Sequence, residues 1–463
     1  MVQPDTIVAR ATPPGMGAVA VVRLSGPAAL EILGELTGGP DGTAPFEPRR
    51  ATLATLADPA TGAPIDRCLV TVFPGPASYT GEDLVEFSTH GGYLVPASVV
   101  EACVARGARS AEPGEFTQRA FLHGKIDLTQ AEAVADLIGA RAPRAAESAL
   151  HQLDRGLGLR VSELREGLVS LQAHLVQHLD FPEEDEAPLG VGEVAGEARE
   201  LARGLSALMA TAPSGELLRE GALTVLAGPP NSGKSSLFNA LLGRERAIVT
   251  EEAGTTRDAL ESTVAIEGFP FRLIDTAGIR DGAGRVEQMG IEVARRYLAE
   301  ADLVLYCRDS GRSPVLGEIP FLEGLSCPVF MLGTKVDLVD TPGTEAPGAA
   351  SPDWEGAGRV FPVSSLTGSG LAALKEAMVS LAFGGLVRHR EEVPVLTRRR
   401  HTDLVGRGLR EVEAFADALE EGIPAEVASA HLKDAESALE DVLGFITSED
   451  ILDRVFREFC IGK

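Results

Sequence analysis

Residues 228–235 constrain the fold more than any other segment of the chain. They read Gly-Pro-Pro-Asn-Ser-Gly-Lys-Ser, which fits the phosphate-loop pattern of Gly, four residues, then Gly-Lys-Ser/Thr. An apolar run, 223–227, precedes the loop, and a helix-like run, 236–242, follows it. In this setting backbone N–H groups and a helix N-terminus point towards phosphate oxygens. The segment therefore predicts a nucleotide site at the end of a buried strand.

The region around this loop has the pattern of an α/β domain. Its short apolar runs are separated by helical or loop segments, and they span residues 223–227, 271–274, 303–307, 329–332 and 360–363. This alternation predicts a mainly parallel sheet with helices on both faces. We assign a Ras-like phosphate-loop domain to residues 219–384. Within it, Lys234 is expected to neutralise the β- and γ-phosphates, and the Ser235 hydroxyl to bind Mg²⁺.

Two further motifs fit the switch regions of a GTPase. Asp275-Thr276-Ala277-Gly278 ends an apolar run and offers a carboxylate beside the Mg²⁺ shell and a glycine N–H to the γ-phosphate. Gly254-Thr255-Thr256-Arg257-Asp258 lies between this motif and the phosphate loop. Thr256 is the predicted Mg²⁺ ligand, because its hydroxyl can complete the shell only while the γ-phosphate is present.

A third pair of motifs fits recognition of guanine. Thr334-Lys335-Val336-Asp337 follows an apolar run, and Asp337 can accept hydrogen bonds from guanine N1 and N2, a donor pair that adenine lacks. Ser364-Ser365-Leu366 follows the next run and offers a backbone N–H to guanine O6. GTPases usually have Asn at the position of Thr334. A threonine hydroxyl can keep one local hydrogen bond, so guanine remains the expected base, with an affinity that the change can lower.

The machinery for hydrolysis is less complete. Ile279 stands where signalling GTPases place the Gln that orients the attacking water, so another side chain must do this. The acids of the segment just downstream, Asp281, Glu287 and Glu292, are all candidates, and spacing does not choose among them. No arginine finger can be identified, so a cation is a candidate source of the missing transition-state charge.

The rest of the chain suggests two more folded parts. Residues 1–122 alternate β-like runs with turn clusters rich in Pro and Gly, which indicates an α+β domain. Helical spacing fills residues 123–218 and returns over 385–463. We therefore predict a multi-domain α/β and all-α protein, in which the nucleotide domain is inserted into a helical domain that is discontinuous in sequence.

Charge and cysteine usage restrict the partners and the compartment. The net charge of −26 repels polyanions, so any RNA contact must be local. The best candidate is Arg398-Arg399-Arg400-His401, near Arg388 and Arg390, although charge alone favours a solvated helix start. The five cysteines form no Cys-x-x-Cys pair, and four of them are expected to be packing residues. For Cys460 a catalytic thiol is the alternative, but a buried cysteine is the commoner case, and we assign it no chemistry. With no long apolar run and no leader pattern, the expected location is the cytoplasm, without membrane contact.

Several short motifs outside the phosphate loop are more specific than the loop itself. They are Asp5-Thr6-Ile7-Val8-Ala9, Ala11-Thr12-Pro13-Pro14-Gly15, Ser78-Tyr79-Thr80-Gly81-Glu82-Asp83, His90-Gly91-Gly92, Glu112-Pro113-Gly114-Glu115-Phe116, residues 131–138, and the terminal Cys460-Ile461-Gly462-Lys463. Through these motifs the chain resembles, from end to end, the MnmE (TrmE) family of tRNA-modification GTPases. A bare phosphate loop would indicate only a superfamily.

The resemblance implies roles in the nucleotide domain. It places a K⁺ ion where an arginine finger would be, held by Asn231, Thr250, Glu252 and Thr255. It selects Glu287 to orient the water, and Arg257, Asp258 and Arg280 to couple hydrolysis to modification. With the motifs above, it assigns GTP contacts to Asn231, Ser232, Gly233, Lys234, Ser235, Ser236, Thr250, Glu251, Glu252, Ala253, Gly254, Thr255, Thr256, Asp275, Thr276, Ala277, Gly278, Thr334, Lys335, Val336, Asp337, Ser364, Ser365 and Leu366.

The resemblance also implies a cofactor and partners. A one-carbon tetrahydrofolate, 5-formyl or 5,10-methylene, would contact Arg23, Glu82, Lys125 and Lys463 in an N-terminal domain that also forms a homodimer. A flavoprotein partner, MnmG (GidA), would join in a heterotetramer or larger complex and add a carboxymethylaminomethyl group to C5 of the wobble uridine, U34, of certain tRNAs. The alternative is a GTPase switch for RNA or ribosome assembly without modification chemistry of its own.

Overall fold

The computed structural model describes residues 5–38, 46–180, 191–243, 261–276, 285–311, 318–338, 359–388, 394–445, 449–457 and 459–463. The chain forms two compact units. The first is Met1–Ala135 together with Glu440–Lys463, and the second is Asp136–Leu439. The domain boundaries expected at 122, 218 and 384 remain predictions.

The first unit is built on a six-stranded sheet. Its strands are β1 Ile7–Arg10, β2 Val19–Ser25, β3 Thr52–Ala57, β4 Pro64–Phe73, β5 Leu84–His90 and β6 Arg109–Ser110, in the order β3-β4-β5-β2-β1-β6. All neighbours are antiparallel except β1 and β6. Helices α1 (Ala29–Leu36) and α2 (Leu94–Val104) contribute to a core that includes Ile32, Phe87 and Val99. The α+β prediction is confirmed.

The chain's C-terminal residues complete this unit. Helices α3 (Glu115–Leu122) and α4 (Leu128–Gly139) precede the second unit, and α15 (Glu449–Phe456) follows it. Leu128 packs with Phe456 and Phe459 in one buried cluster. Gly462 has φ +96°, and a Cβ there would lie 2.4 Å from the Arg10 carbonyl oxygen, so only glycine fits. The terminal Cys-Ile-Gly-Lys is thereby fixed against β1.

The helical part of the second unit confirms the prediction of long helices. It contains α5 Pro143–Leu153, α6 Gly156–Asp180, α7 Val191–Met209, α8 Ala212–Glu220, α13 Arg399–Glu420 and α14 Ala425–Leu443. Helix α7 packs antiparallel to α13, with Arg199 bonded to Asp417 near one end and Met209 beside Gly406 near the other. In the described parts of the chain, no helix has the length and apolarity that crossing a bilayer requires.

The second unit also holds the nucleotide sheet. Its strands are β7 Ala222–Ala227, β8 Glu261–Ile266, β9 Phe269–Asp275, β10 Leu303–Asp309, β11 Val329–Thr334 and β12 Arg359–Pro362, in the order β12-β11-β10-β7-β9-β8. All neighbours are parallel except β8 and β9. The sheet is accompanied by α9 Lys234–Leu242, α10 Arg285–Glu300, α11 Glu318–Glu323 and α12 Leu371–Arg388. The predicted α/β domain is confirmed, and β8 is an addition.

Both faces of this sheet are covered. Every residue of β7 is buried, as expected for a central parallel strand. Leu226 and Phe271 belong to one core cluster, whereas Val225 and Ile274 belong to another. The C-terminal ends of β7, β9, β11 and β12 lie along a common edge of this sheet, next to those predicted motifs that the described residues contain.

Candidate functional site

The phosphate loop connects β7 to α9. Gly228 has φ +134°, and a Cβ there would lie 2.2 Å from the Cys307 carbonyl oxygen, so the loop can pass β10 only with glycine at this position. Asn231 adopts a left-handed conformation with φ +60°, and α9 begins at Lys234, two residues before the predicted run. The loop and the helix start provide the anion-binding geometry that the sequence predicts.

Lys234 is buried within this loop. Its Nζ donates to the carbonyl oxygens of Gly228, at 3.1 Å, and Pro229, at 2.7 Å, which holds the ammonium group across the loop. Burial raises the pKa of the neighbouring Cys307 to about 12, against the opposing effect of the Lys234 charge. The Cys307 thiol therefore stays protonated at neutral pH and serves as a packing group, whereas Lys234 is the cation of the site.

The end of β9 supplies a carboxylate. Asp275 is buried and lies opposite Leu226 in the pairing of β9 with β7, and the Thr276 hydroxyl donates to the Leu226 carbonyl oxygen at 2.7 Å. Ser235, in the first turn of α9, is exposed. Hydroxyl and carboxylate oxygens are the ligands that Mg²⁺ prefers, so this donor set fits that ion. The other predicted ligand, Thr256, lies outside the described residues.

Residues 334–337 and 364–366, at the ends of β11 and β12, form what we call the base-recognition edge. Thr334 links this edge to the phosphate loop. The side chain is buried, and its hydroxyl lies 2.6 Å from the Ser232 carbonyl oxygen and 3.0 Å from that of Arg308. Lys335 reinforces the link, because its Nζ donates to the Asn231 carbonyl oxygen at 2.8 Å. The expectation that Thr334 keeps a local hydrogen bond is confirmed.

Asp337 is exposed at this edge, in the short 3-10 turn Val336–Leu338. The buried Ser364 donates from its hydroxyl to Asp337 Oδ1 at 2.5 Å, which orients the carboxylate. Ser364 follows β12, so the two predicted base motifs meet at the ends of adjacent parallel strands. Leu366 is exposed beside them and leaves its apolar side chain open to a planar ligand.

Sequence reasoning missed Asp309 at the end of β10. Its Oδ2 accepts a hydrogen bond from Lys335 Nζ at 2.9 Å, which fixes the lysine of the base motif. The signal was present, since Asp309 follows an apolar run that ends at the same edge of the sheet.

Part of the predicted site lies outside the described residues. This applies to Thr250, Glu251, Glu252, Ala253, Gly254, Thr255, Thr256, Arg257, Asp258, Ala277, Gly278 and Arg280, while Glu287 lies on α10 with its side chain outside the description. Among the described residues, contacts join Thr334 and Lys335 to the phosphate loop at Ser232 and Asn231, and Ser364 to Asp337.

In the first unit, contacts connect two of the four residues expected at the folate site, Arg23 and Lys463, through Gly462 and Phe116. Arg23 bonds Glu86 at 2.7 Å, lies over the rings of Tyr79 and Phe116, and reaches the Gly462 carbonyl oxygen at 3.5 Å. The Lys463 carbonyl oxygen accepts from the Phe116 N–H. Lys125 is exposed, and its Nζ donates to the Pro76 carbonyl oxygen instead.

Glu82 is held by a network that sequence reasoning missed. Arg119, buried on α3, donates to both Glu82 oxygens, at 3.1 and 3.3 Å, and bonds Asp5 and Glu115. Burial acts to raise the pKa of Glu115, but hydrogen bonds, first among them those from Arg109, outweigh it and hold this pKa below its usual value. The same balance, with bonds from Arg109 and Arg119, lowers the pKa of Asp5. A signal existed, because Arg119 follows Glu115 by one turn of a helix.

Two expectations from the sequence need correction. Cys460 is exposed and not buried, because the tail is fixed through its neighbours, by an Ile461–Pro113 bridge and by Gly462. The Arg398–His401 run does not lie on one exposed face, because Arg398 is buried against Asp136 and His401 is fully buried. All five cysteines are free, and in the described residues no group of His, Cys, Asp and Glu has the arrangement of a metal site.

The fold and the edge of the second sheet define the class of phosphate-loop GTPases. Two family models match the chain: "GTP-binding protein TrmE N-terminus" over residues 6–125 and "MnmE helical domain" over residues 128–460. The chain belongs to the MnmE family of tRNA modification GTPases.

Full-length relatives lead to the same family. The chain is similar to proteins named tRNA modification GTPase MnmE from Akkermansia muciniphila, with 41% identity over all of both chains, and from Thermus thermophilus, with 43% identity over 99% of each. A relative of the same name from Alkalilimnicola ehrlichii is 43% identical over 99% of each chain. The likeness therefore extends over the whole chain and not the nucleotide domain alone.

Proposed function

We propose that this chain hydrolyses GTP to drive a conformational cycle during modification of the wobble uridine, U34, of certain tRNAs. In this proposal the flavoprotein MnmG (GidA) joins it in a heterotetramer or larger complex, and together they add a carboxymethylaminomethyl group to C5. The observation that carries the GTPase part is the convergence of Lys234, Asp275 and Asp337 at one edge of a rigid sheet. Because tRNA is the substrate and all five thiols are free, the proposed location is the cytoplasm.

The described residues have defined tasks in hydrolysis. The loop N–H groups and Lys234 bind and orient the phosphates, and Asp337 selects the base. Ser235, Asp275 and Thr256 are the residues that would hold Mg²⁺, which, when bound, neutralises charge on the phosphate oxygens. Glu287 would orient the attacking water, because Ile279 carries no polar group. Arg257, Asp258 and Arg280 would couple this step to modification.

A K⁺ ion is proposed to take the place of an arginine finger, held by Asn231, Thr250, Glu252 and Thr255. The position of Asn231 supports this, since its backbone is fixed at the phosphate loop by Lys335. We expect GTP hydrolysis to be much faster in KCl than in NaCl, and Asn231→Ala to abolish the difference. Asn239→Ala, on α9 beyond the loop, is the matched control and should retain it. Equal wild-type rates in the two salts would count against the cation.

A one-carbon tetrahydrofolate, 5-formyl or 5,10-methylene, is proposed to bind at Arg23 and Glu82, with Lys125 and Lys463. Arg23 fits this ligand, because a guanidinium that is fixed by Glu86 and flanked by rings can bind a carboxylate or a planar group. These residues would bind and orient the folate, which, when bound, would supply the one-carbon unit.

Equilibrium binding of labelled 5-formyltetrahydrofolate tests this site. We expect saturable binding that Arg23→Ala removes and that Arg67→Ala, an exposed arginine of β4 in the same sheet, leaves intact. No binding to the wild-type protein would favour the alternative, a GTPase switch in RNA or ribosome assembly that has no need of a folate.

The first unit is proposed to form a homodimer. Met16, Val19, Tyr93 and Leu94 are large apolar side chains with 59–90% of their surface exposed. The backbone segments that carry them are adjacent, because Val19 pairs with His90 and the Gly91 N–H donates to the Ala18 carbonyl oxygen. An exposed apolar patch of this kind is typical of an interaction surface. Sedimentation equilibrium should give a dimer that Tyr93→Asp weakens.

A further inference from the structure

The first half of α13 concentrates positive charge in a strongly acidic chain. Residues 398–410 contain five arginines and one aspartate, whereas residues 411–421 contain five acidic residues and no basic one. The whole chain has a net charge of −26. The first half of this helix is therefore a local exception to the charge of the chain.

The five arginines differ in exposure: one is buried, Arg400 is half-buried and three are exposed. Arg398 is withdrawn from solvent, because its guanidinium bonds both carboxylate oxygens of Asp136. Arg399, Arg407 and Arg410 are exposed. At about 100° per residue, these three lie within an arc of roughly 80° and span about 17 Å along the helix. We call Arg399, Arg407 and Arg410 the arginine stripe.

Little negative charge balances the stripe on its own face. Asp403 lies 3.8 Å from Arg399, but it is 69% exposed and the arginine 89% exposed, so this pair is weak and screened. The first turn of α13 has no acidic side chain, and no side-chain hydrogen bond caps it. The positive end of the helix dipole repels arginines that lie near the helix N-terminus, and a bound anion relieves this repulsion.

The stripe has the chemistry of a phosphate-binding surface. A guanidinium presents paired N–H donors that match phosphate oxygens, and it stays charged at any physiological pH. The aromatic residue of α13, Phe415, is fully buried, so the helix offers no ring on which a base could stack. Contacts of this type position a nucleic acid without reading its sequence.

We propose that the arginine stripe of α13 binds the phosphate backbone of tRNA. This inference rests on the proposed function for its partner and adds the surface that holds that partner. Because the acidic remainder of the chain repels RNA, the tRNA is held through this local contact and its binding depends steeply on salt. The contact is independent of the nucleotide site, so it also operates in the GDP-bound protein.

Anisotropy titrations of fluorescently labelled tRNA with the full-length GDP-bound protein test this proposal. They are run over a series of NaCl concentrations at fixed KCl. The variant Arg399→Gln/Arg407→Gln/Arg410→Gln should weaken tRNA binding at least ten-fold. It should also reduce the slope of log Kd against log salt by about 2 to 3 units, roughly 0.7–0.9 for each of the three lost phosphate contacts.

The matched control is Arg160→Gln/Arg203→Gln/Arg296→Gln. These arginines are 40%, 69% and 74% exposed, pair with nearby glutamates, and change the net charge by the same amount. The control should bind tRNA like the wild type. Far-UV circular dichroism and GTP turnover of both variants should match the wild type, which shows that they are folded.

Each other outcome has a definite meaning. Equal losses in both variants, or no loss in either, would overturn the arginine stripe as the tRNA contact. Unchanged tRNA binding with lost binding of purified MnmG would overturn it in favour of a protein surface. If the wild-type chain bound no tRNA at low salt, the proposed direct role in tRNA modification would fail with it, whereas the other outcomes leave that role intact.

Discussion

The Thr334 hydroxyl joins the base-recognition edge to the phosphate loop. It reaches the carbonyl oxygens of Ser232 and Arg308. The next residue after Arg308 is Asp309, whose carboxylate holds Lys335. The usual asparagine would bring an amide to this position, but the shorter threonine keeps the hydrogen bond. Residue identity at this position therefore matters less than the presence of a donor.

Replacing Thr334 by Val tests this role with almost no change in shape. The variant leaves buried carbonyl oxygens without their donor, a loss of about 1–3 kcal/mol, or roughly 5- to 150-fold in affinity. We expect the Kd for a fluorescent GDP analogue to rise by that factor. Thr334→Asn, which restores a donor, should remain within a few fold of the wild type. An unchanged Kd for Thr334→Val would show that the hydroxyl carries no part of the binding.

The cysteines should differ sharply in reactivity. Burial raises the pKa of Cys68, Cys103 and Cys307 to about 12, whereas Cys460 is exposed. Because the thiolate is the reactive species, brief iodoacetamide treatment at pH 7.5 should modify Cys460 well before these three. Peptide mass spectrometry measures the order. Early modification of Cys307 in the folded protein would contradict the placement of β10.

At the scale of the elements, Asp136 connects the segments that enter and leave the nucleotide domain. Its carboxylate on α4 bonds Arg219 at the end of α8, at 3.0 Å, and Arg398 just before α13, at 2.7 Å. The Gln152 side chain on α5 donates to the Val395 carbonyl oxygen nearby. These contacts fix the chain to helices α4 and α5 both before and after the nucleotide domain.

Asp136→Ala should destabilise the protein. It removes the Asp136 carboxylate that the buried Arg398 guanidinium bonds, and breaking a buried pair in this way costs about 3 kcal/mol. Urea denaturation followed by circular dichroism measures the loss. The control, Asp434→Ala at an exposed position of α14, should change the unfolding free energy by no more than about 0.5 kcal/mol. Equal effects of the two changes would contradict the role of Asp136.

The ion network of Asp5, Arg109, Glu115 and Arg119 should make the stability of the fold depend on pH. Asp5 and Glu115 have lowered pKa values in the folded state, so their contribution is present above their unfolded pKa values and is lost as pH falls through the folded ones. We expect the unfolding free energy to fall between about pH 5 and pH 3. Glu115→Gln should reduce this fall, and Glu101→Gln, exposed on α2, should not. Parallel pH profiles for all three proteins would contradict the assignment.

The sequence predicts strands that are buried on both faces of the sheet, and it misses the partly buried edge strand β8. β7 and β10 are continuous apolar runs, so they are recognised directly. β8 begins Glu-Ser-Thr and lies at the edge of its sheet, so it lacks that signal.

The candidate site follows the same division. Lys234 and Asp337 belong to local motifs that the sequence alone identifies, and their roles at the nucleotide stay predictions. Arg119 and Asp309 have local sequence signals, but the side chains on which they act are distant in sequence or held by another strand, so only the folded chain reveals these partners. Burial of Arg398 depends on Asp136, more than two hundred residues earlier, which no local pattern indicates.

At the scale of the whole molecule, distant parts of the chain build each unit. The C-terminal residues complete the first unit, where Gly462 approaches β1 and Lys463 bonds Phe116. The nucleotide sheet lies in the second unit, and its edge carries the phosphate and base contacts. The claim on which the rest depends is that this edge binds and cleaves GTP.

Steady-state hydrolysis of GTP and of ATP, measured with Mg²⁺ in KCl, tests that claim most directly. We predict that the purified protein cleaves GTP and that ATP is cleaved at least a hundred-fold more slowly, because adenine lacks the donor pair that Asp337 accepts. Lys234→Ala should lose nearly all GTP turnover. Comparable cleavage of ATP, or full GTP turnover by Lys234→Ala, would contradict the account.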